Sequence, residues 1–423
     1  WDTDCNSGNV GCLMGIRGGL DAIDAGPDWR TPVADRIYLP TADAGSAITD
    51  VASEAMQLAG MGRRLLGESP VSFKSGARFH FELPGSVQGF RCEATREVDG
   101  TCRVENVVGH SRSGKRSLAL HYQGLATGRA ARAATGTFVE SKDTARYFEQ
   151  RGYALMASPT LYPGQVAQAR VSADAGDPTS VGVNLYIHVY DENDELSLVR
   201  GPVQSLAPGE DTDLEWRIPD TEGYPIAEIG IEARGEQAAR GTVYLDYLTW
   251  RGTPQVRFTK TTSGTMWGRA WINAVDQYHP RYPEPFRLIQ NTGTGLLIGG
   301  SREWRDYRVS ADVTIHMAAA SGIAARVQGM RRYYALLLCS DAQARLVKVH
   351  DTVIELGCVE FASQLGETHD LALEVRGDHI EGFIDGTSRI RITDGKDPLD
   401  CGGIALVIEA GRTATQAIEV TPI

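Results

Sequence analysis

The sequence predicts a multidomain, mainly β protein in which a short all-α segment precedes two antiparallel β-sandwiches. Three observations predict it. Glycine fills 47 of 423 positions, an excess that fits many tight turns. From Phe73 onward the hydrophobic period switches from helical to two, with turn residues between the runs. At about 150 residues per domain, the length allows two to four domains. Hydrophobic residues make up 42% and charged residues 23%, which excludes wholesale disorder. No run reaches the roughly 18 uninterrupted apolar residues of a membrane-spanning helix. The formal net charge of −12 disfavours nucleic acid and anionic membranes as partners.

Residues 1–68 form the helical part. Between Asn6 and Leu20, Gly8, Gly11, Gly15 and Gly18 fall on one stripe, which predicts close packing against another helix. Pro27, Trp29 and Pro32 mark a loop. Ser46 to Leu66 reads as a second helix with Ile48, Val51, Ala52, Ala55, Leu58 and Ala59 on one face. Two such helices cannot bury a core alone and need partners this chain does not supply.

Residues 69–254 read as the first sandwich. Its runs are ARFHFEL, RSLALHY, VGVNLYIHVYD, EWRIP and GTVYLDYLTW, and Arg78–Leu83 is expected to pair with Thr242–Trp250. Residues 255–423 read as the second, with runs such as WRDYRVSADVTIHM, GIAARVQ, RYYALLLC, ARLVKVH, THDLALEVRGD and GGIALVIEA. Asp385-Gly386 is a hairpin turn signal, and Gly377-Asp378 a weaker one. No repeat of 20–50 residues is evident, which disfavours propellers and solenoids. Of seven cysteines, only Cys92 and Cys102 sit close together, around the Asp99-Gly100 turn. They read either as a disulfide or as two buried thiols. No cysteine or histidine spacing suits zinc.

The chemical signal is Asp2-Thr3-Asp4-Cys5-Asn6 at the head of the glycine-rich helix. Two carboxylates two residues apart suit a hard divalent cation, whereas the plain alternative is an acidic helix cap. DTDCNSGNVGCLMGIRGGLDAI, followed by SAITDVASEAMQLA, resembles the C-terminal end of ADP-ribosylglycohydrolase-family enzymes. That resemblance implies an all-helical domain with two magnesium ions and assigns Asp2 and Asp4 as metal ligands. Cys5 departs from the family's Thr, and a thiol is a poor magnesium ligand. Trp1 stands where Gly is common, a change that reshapes the implied substrate pocket. The implied reaction is metal-assisted hydrolysis of an ADP-ribosyl or other glycosidic bond in a longer parent chain. The family's other acidic ligands lie in an N-terminal half that this chain lacks, so the missing half is an expected partner and this chain alone is expected to be inactive. The chain opens on Trp1 with no initiator Met and no signal segment, so it is expected to be a processed or C-terminal portion. Secreted and cytoplasmic locations both stay open.

The first sandwich resembles a galactose-binding-type jelly roll of carbohydrate-binding modules, through GKRSLALHYQG, SPTLYPGQ and VYLDYLTW. The acidic hairpin Asp191-Glu192-Asn193-Asp194-Glu195 reads as a structural calcium site or a solvated turn. Tyr147, Tyr153 and Tyr162 are candidate sugar-stacking residues. The second sandwich resembles concanavalin- or laminin-G-like domains, including the 3-keto-disaccharide hydrolase type, through Trp304-Arg305-Asp306-Tyr307 and the strands that follow. Trp267, Trp271, Tyr278, His279, Arg281 and Tyr282 form an aromatic, proline-interrupted run suited to stacking on sugar rings or to capping a neighbouring domain. Arg326, Arg331 and Tyr333 are placed on the concave face. Glu374 and Asp385 are candidates by residue type alone. Three readings follow: a metal-dependent glycohydrolase with accessory carbohydrate-binding domains, a non-catalytic glycan-binding module, and a purely structural pair of sandwiches.

Overall fold

The computed structural model describes residues 3–39, 45–95, 98–150, 156–236, 239–259, 263–278 and 282–423. Helix α1 (Asp4–Asp24) buries none of its residues. A Cβ at Gly8 or Gly11 would meet nothing within 4 Å, so the glycine stripe faces open space rather than a second helix. The hairpin of β1 (Arg36–Tyr38) and β2 (Ile48–Asp50) leads into α2 (Val51–Leu65). The second helix therefore starts at Val51 rather than Ser46. Asp50 sets that start, because its carboxylate accepts from Ser53 N–H at 3.0 Å and from the Ser53 hydroxyl at 2.6 Å. The expected apolar face of α2 is open, with Val51 47% and Leu58 68% exposed.

Residues 30–39 and 45–50 are built into the first sandwich across the expected boundary at residue 68. The buried Asp35 carboxylate accepts from the Ser86 hydroxyl and from Val87 and Gln88 N–H. Arg36 donates to Gly89 O and Ala134 O and pairs with Glu140 and Glu228.

The first sandwich has two antiparallel sheets. One runs β11 (Asp211–Arg217), β7 (Val166–Ala173), β13 (Ala239–Arg251), β5 (Arg116–Leu125) and β4 (Cys102–Val108). The other runs β10 (Gln204–Leu206), β8 (Val181–Tyr190), β12 (Ile226–Arg234), β6 (Ala131–Gly136) and β3 (Arg91–Cys92), with β9 (Leu196–Arg200) also on β8. Leu118, Leu120, Val171, Val243 and Leu245 from one sheet meet Val183, Leu185, Ile187, Ile229 and Ile231 from the other in an apolar core. Cys92 and Cys102 form a disulfide, which joins β3 of one sheet to β4 of the other rather than closing a hairpin. Arg78–Leu83 forms no strand. Its backbone pairing with β13 is a single bridge, Phe79 to Leu248, and the Gln88 side chain accepts the His80 and Phe81 N–H groups instead. Helix α3 (Lys142–Gln150) lies in the connection from β6 to β7.

In the second sandwich three long strands run through both layers: β17 (Phe286–Gly299), β18 (Tyr307–Val327) and β25 (Gly403–Pro422). The first half of β18 pairs with β22 (Thr368–Arg376), which continues into β23 (His379–Ile384) and β24 (Thr387–Thr393). Its second half pairs with β19 (Arg332–Cys339), followed by β20 (Gln343–His350) and β21 (Thr352–Glu360). Short pieces complete the unit: β14 (Val256–Thr259), α4 (Met266–Arg269), β15 (Ile272–Ala274) and β16 (Gln277–Tyr278). Gly377-Asp378 and Asp385-Gly386 form the two turns expected of them.

The sandwiches meet at a dense joint. Tyr162 of the first sits edge-on to Trp304 at 4.9 Å, and its hydroxyl accepts the Gly300 N–H at 3.1 Å. The Ser158 hydroxyl donates to Gly300 O at 2.7 Å. Trp271 packs against Phe258 and Phe286 with ring centroids 5.1 Å apart in both pairs. The cavity left between these rings is about 20 Å³, near the size of a single water.

Candidate functional site

The outer face of the β10-β8-β12-β6-β3 sheet is where charge collects. Strand alternation sends every second residue of β6, β8 and β12 outward, and pairing register then lays them in rows. Arg132, Glu232 and Asn184 are neighbours in one row, and Ala134, Gly230, Tyr186 and Arg200 in the next. Glu228 and His188 follow. The middle row is floored by small residues. A Cβ at Gly230 would lie 2.3 Å from Ala133 O and 2.7 Å from the Tyr186 ring, so only glycine fits there.

Glu232 is the hub. Its carboxylate is fully buried and accepts from Arg132 Nε at 2.7 Å, Arg200 Nε at 3.1 Å and Arg234 Nε at 2.7 Å. Burial alone would raise its pKa, but the three guanidinium groups outweigh it and hold the carboxyl below its ordinary range. Glu228 is held down in the same way: burial opposes ionisation, and His188 and Arg36 overcome it. His188 also approaches Glu93 at 3.5 Å, and Glu93 pairs with Arg132 at 3.3 Å. The Tyr186 phenol keeps its proton because it is buried beside Glu93, although it meets no acceptor at hydrogen-bond geometry.

At the rim of this face a pocket of about 1220 Å³ opens among the β5–β6, β7–β8 and β12–β13 loops. Arg129, Arg132, Arg200, Arg234 and Arg240 line it, against the carboxylates of Glu232 and Glu236. Arg200 and Arg234 are each 39% exposed at the side chain, while Arg132 is 7% exposed. Arg240 is exposed and has no partner among the described residues. Thr127, Thr179 and Ser180 add hydroxyls, and the apolar lining is limited to small groups such as Ala130, Pro178 and Ala239.

The residues expected to stack on sugar lie elsewhere. Trp267, Trp271 and Tyr278 are 4%, 5% and 9% exposed and belong to the second sandwich's core, which Tyr162 also enters. Their rings are spent on packing inside that core. Tyr282 is half-buried beneath the Arg287 guanidinium at 4.9 Å. Tyr333 is 4% exposed in the apolar outer face of the second sandwich. Arg326 is fully buried and braces three loops, donating to Arg305 O, Gly377 O and Leu399 O. Arg331 is exposed and Tyr147 is exposed on α3. Glu374 pairs with Arg308 and Asp385 with His369. Trp1, Asp2, Tyr153, His279 and Arg281 lie outside the described residues.

Of the expected magnesium ligands, Asp4 and Cys5 fall within the described residues. Asp4 spends a carboxylate oxygen on the Cys5 N–H in the first turn of α1, and Cys5 is exposed. Among the described residues no group of three His, Cys, Asp or Glu side chains could hold a metal. Nor does the acidic hairpin form a calcium loop. Asp194 accepts from Thr265 N–H, the Thr265 hydroxyl and Met266 N–H, which caps α4 of the second sandwich, and Glu195 pairs with Lys142.

Sequence reading missed the arginine pocket. Its one local signal is Glu232-Ala-Arg234, whose alternation puts opposite charges on one strand face. The larger signal is five arginines converging in a chain of net charge −12.

No family model and no curated protein matches the chain. Among solved structures it is similar to carbohydrate binding module CBM66 from Bacillus subtilis, at 14% identity over 36% of this chain and 94% of that one, with a TM-score of 0.33. It is also similar to the CBM22-1-CBM22-2 tandem domain of Paenibacillus barcinonensis Xyn10C, at 10% identity over 82% and 96%, with a TM-score of 0.28. Sheep galectin-11 matches at 11% identity over 31% and 99%, with a TM-score of 0.24. The site stands on its own geometry.

Proposed function

We propose that this chain is a non-catalytic glycan-binding protein whose first sandwich takes an acid-bearing saccharide in the arginine-lined pocket. The observation that carries the reading is the convergence of Arg129, Arg132, Arg200, Arg234 and Arg240 on one cavity of an acidic chain. Guanidinium forks match carboxylates two bonds at a time, and they attract anions over distances that salt shortens. The hydroxyls of Thr127, Thr179 and Ser180 suit a polyhydroxylated ligand. Glu232 holds three of the arginines in place before ligand arrives, which lowers the ordering cost of binding. The face supplies no open acid–base couple, because Glu93, Glu228 and Glu232 each sit in ion pairs.

Affinity electrophoresis tests this. Mobility should fall in gels containing a polyuronate and stay unchanged in gels containing neutral xylan or glucan. Retardation should weaken steeply with added salt. Equal retardation by neutral polymers, or none by any acidic one, would refute the proposal.

A further inference from the structure

We infer that Lys74 is a built-in cation: its ammonium fills an oxygen cage of the kind that holds a hard divalent ion, and emptying that cage creates a metal site. The Lys74 side chain is fully buried, an uncommon position for lysine. Its Nζ lies 2.7 Å from Arg116 O, 2.6 Å from Asp246 O, 2.6 Å from Asp246 Oδ1 and 3.2 Å from Glu82 Oε1. Two carboxylates and two carbonyls from three separate segments thus converge on one charge. An ammonium has three protons to offer four oxygens, and one positive charge faces two negative ones. Such an all-oxygen set of mixed carboxylates and carbonyls suits calcium.

Each carboxylate of the cage is also held by donors other than the lysine. Glu82 accepts from Lys115 and Arg116 N–H, and Asp246 accepts from the Ser111 hydroxyl and Arg112 N–H. The register of β13 against β7 shifts between Leu245 and Tyr247, which leaves Asp246 out of the ladder as a bulge residue. Gly114 closes the back, where a Cβ would stand 2.1 Å from Glu82 Oε1 and 2.7 Å from the lysine chain. The lysine itself is delivered at a conformational cost: Lys74 and Ser75 have φ of 45° and 57°, a region that L-residues seldom adopt. His80 is the titratable neighbour, and burial followed by the Lys74 charge holds it neutral, down at about 4.

Lys74→Gly tests the inference, since it empties the cage and suits the positive φ. Wild type should show the same Tm in millimolar calcium and in chelator. Lys74→Gly should melt lower in chelator and recover by roughly 5 °C or more in saturating calcium, but not in sodium of equal ionic strength. Lys74→Met, which removes the charge but keeps the cage filled, should lose Tm without recovery. Adding Glu82→Gln to Lys74→Gly should abolish the calcium response. If Lys74→Gly fails to fold, refolding with and without calcium followed by near-ultraviolet circular dichroism decides: folding only with calcium supports the cage, and failure in both overturns it. A calcium shift in wild type or in Lys74→Met, or no calcium response in a folded Lys74→Gly, also overturns it.

Discussion

On the first sandwich, the outward residues of β8, β12 and β6 are Asn184, Tyr186, His188, Glu228, Gly230, Glu232 and Arg132. On the second, the outward residues of the β15-β17-β25-β18-β19-β20 layer are Ile272, Leu296, Ile298, Ala405, Val407, Ala324, Tyr333, Ala335, Val347 and Val349, all buried, with Met156 of the first sandwich packed on them. The backbone pairing is of one kind in both. The difference is which side chains the alternation sends outward: on the first sandwich they are polar and charged groups, with Asn184, Tyr186, Glu232 and Arg132 buried, and on the second they are apolar groups packed against another part of the protein. In β25 five successive apolar residues, Ile404 to Ile408, announce a strand covered on both sides. In β12 the Glu228, Gly230, Glu232 series announces one polar face.

Variants that cross the two chemistries should be most damaging. Val407→Asp would bury an unpaired carboxylate in the covered face, and we expect a loss of about 3–5 kcal/mol by denaturant unfolding. A loss below about 1 kcal/mol would mean that the face opens to water. On the polar face, Glu232→Ala removes the shared partner of three arginines and should cost about 3 kcal/mol together with saccharide binding. Retained binding would show that the arginines need no organiser.

Acid probes charge rather than packing. His80 falls from 6.5 to about 4 in the folded chain, so the folded state binds fewer protons than the unfolded one between those values. Stability should therefore drop by roughly 2 kcal/mol as pH falls from 6.5 towards 4, then level off from this source. The His80 Nδ1 accepts the Glu82 N–H, a bond that protonation breaks. In a pH series of thermal melts, His80→Asn should flatten that slope, and an unchanged slope would place the acid sensitivity elsewhere. The smallest stability effect belongs to Arg240→Ala, at under about 0.5 kcal/mol, because the side chain is exposed. Its effect on binding should be about tenfold, measured by calorimetry with a uronate oligosaccharide.

Periodicity made most strands legible: YRVSADVTIH alternates residue by residue, and RYYALLLC is a continuous apolar run. Arg78–Leu83 alternates too, yet Phe79 and Phe81 reach the core from a loop whose N–H groups are taken by Gln88, a partnership local pattern cannot encode. The aromatic run at Trp267 and Trp271 has one composition and two uses, and only the neighbouring rings of Phe258 and Phe286 tell core from platform. The arginine pocket draws on four separated segments, so its charge is visible in the sequence and its convergence is not.

The central claim is tested most directly by titrating a uronate oligosaccharide, and its methyl-esterified counterpart, into wild type and into Arg200→Ala/Arg240→Ala. The account predicts that wild type binds the acid and not the ester, and that the double variant loses acid binding at least tenfold. Equal binding of acid and ester, or full affinity without these two arginines, would contradict it.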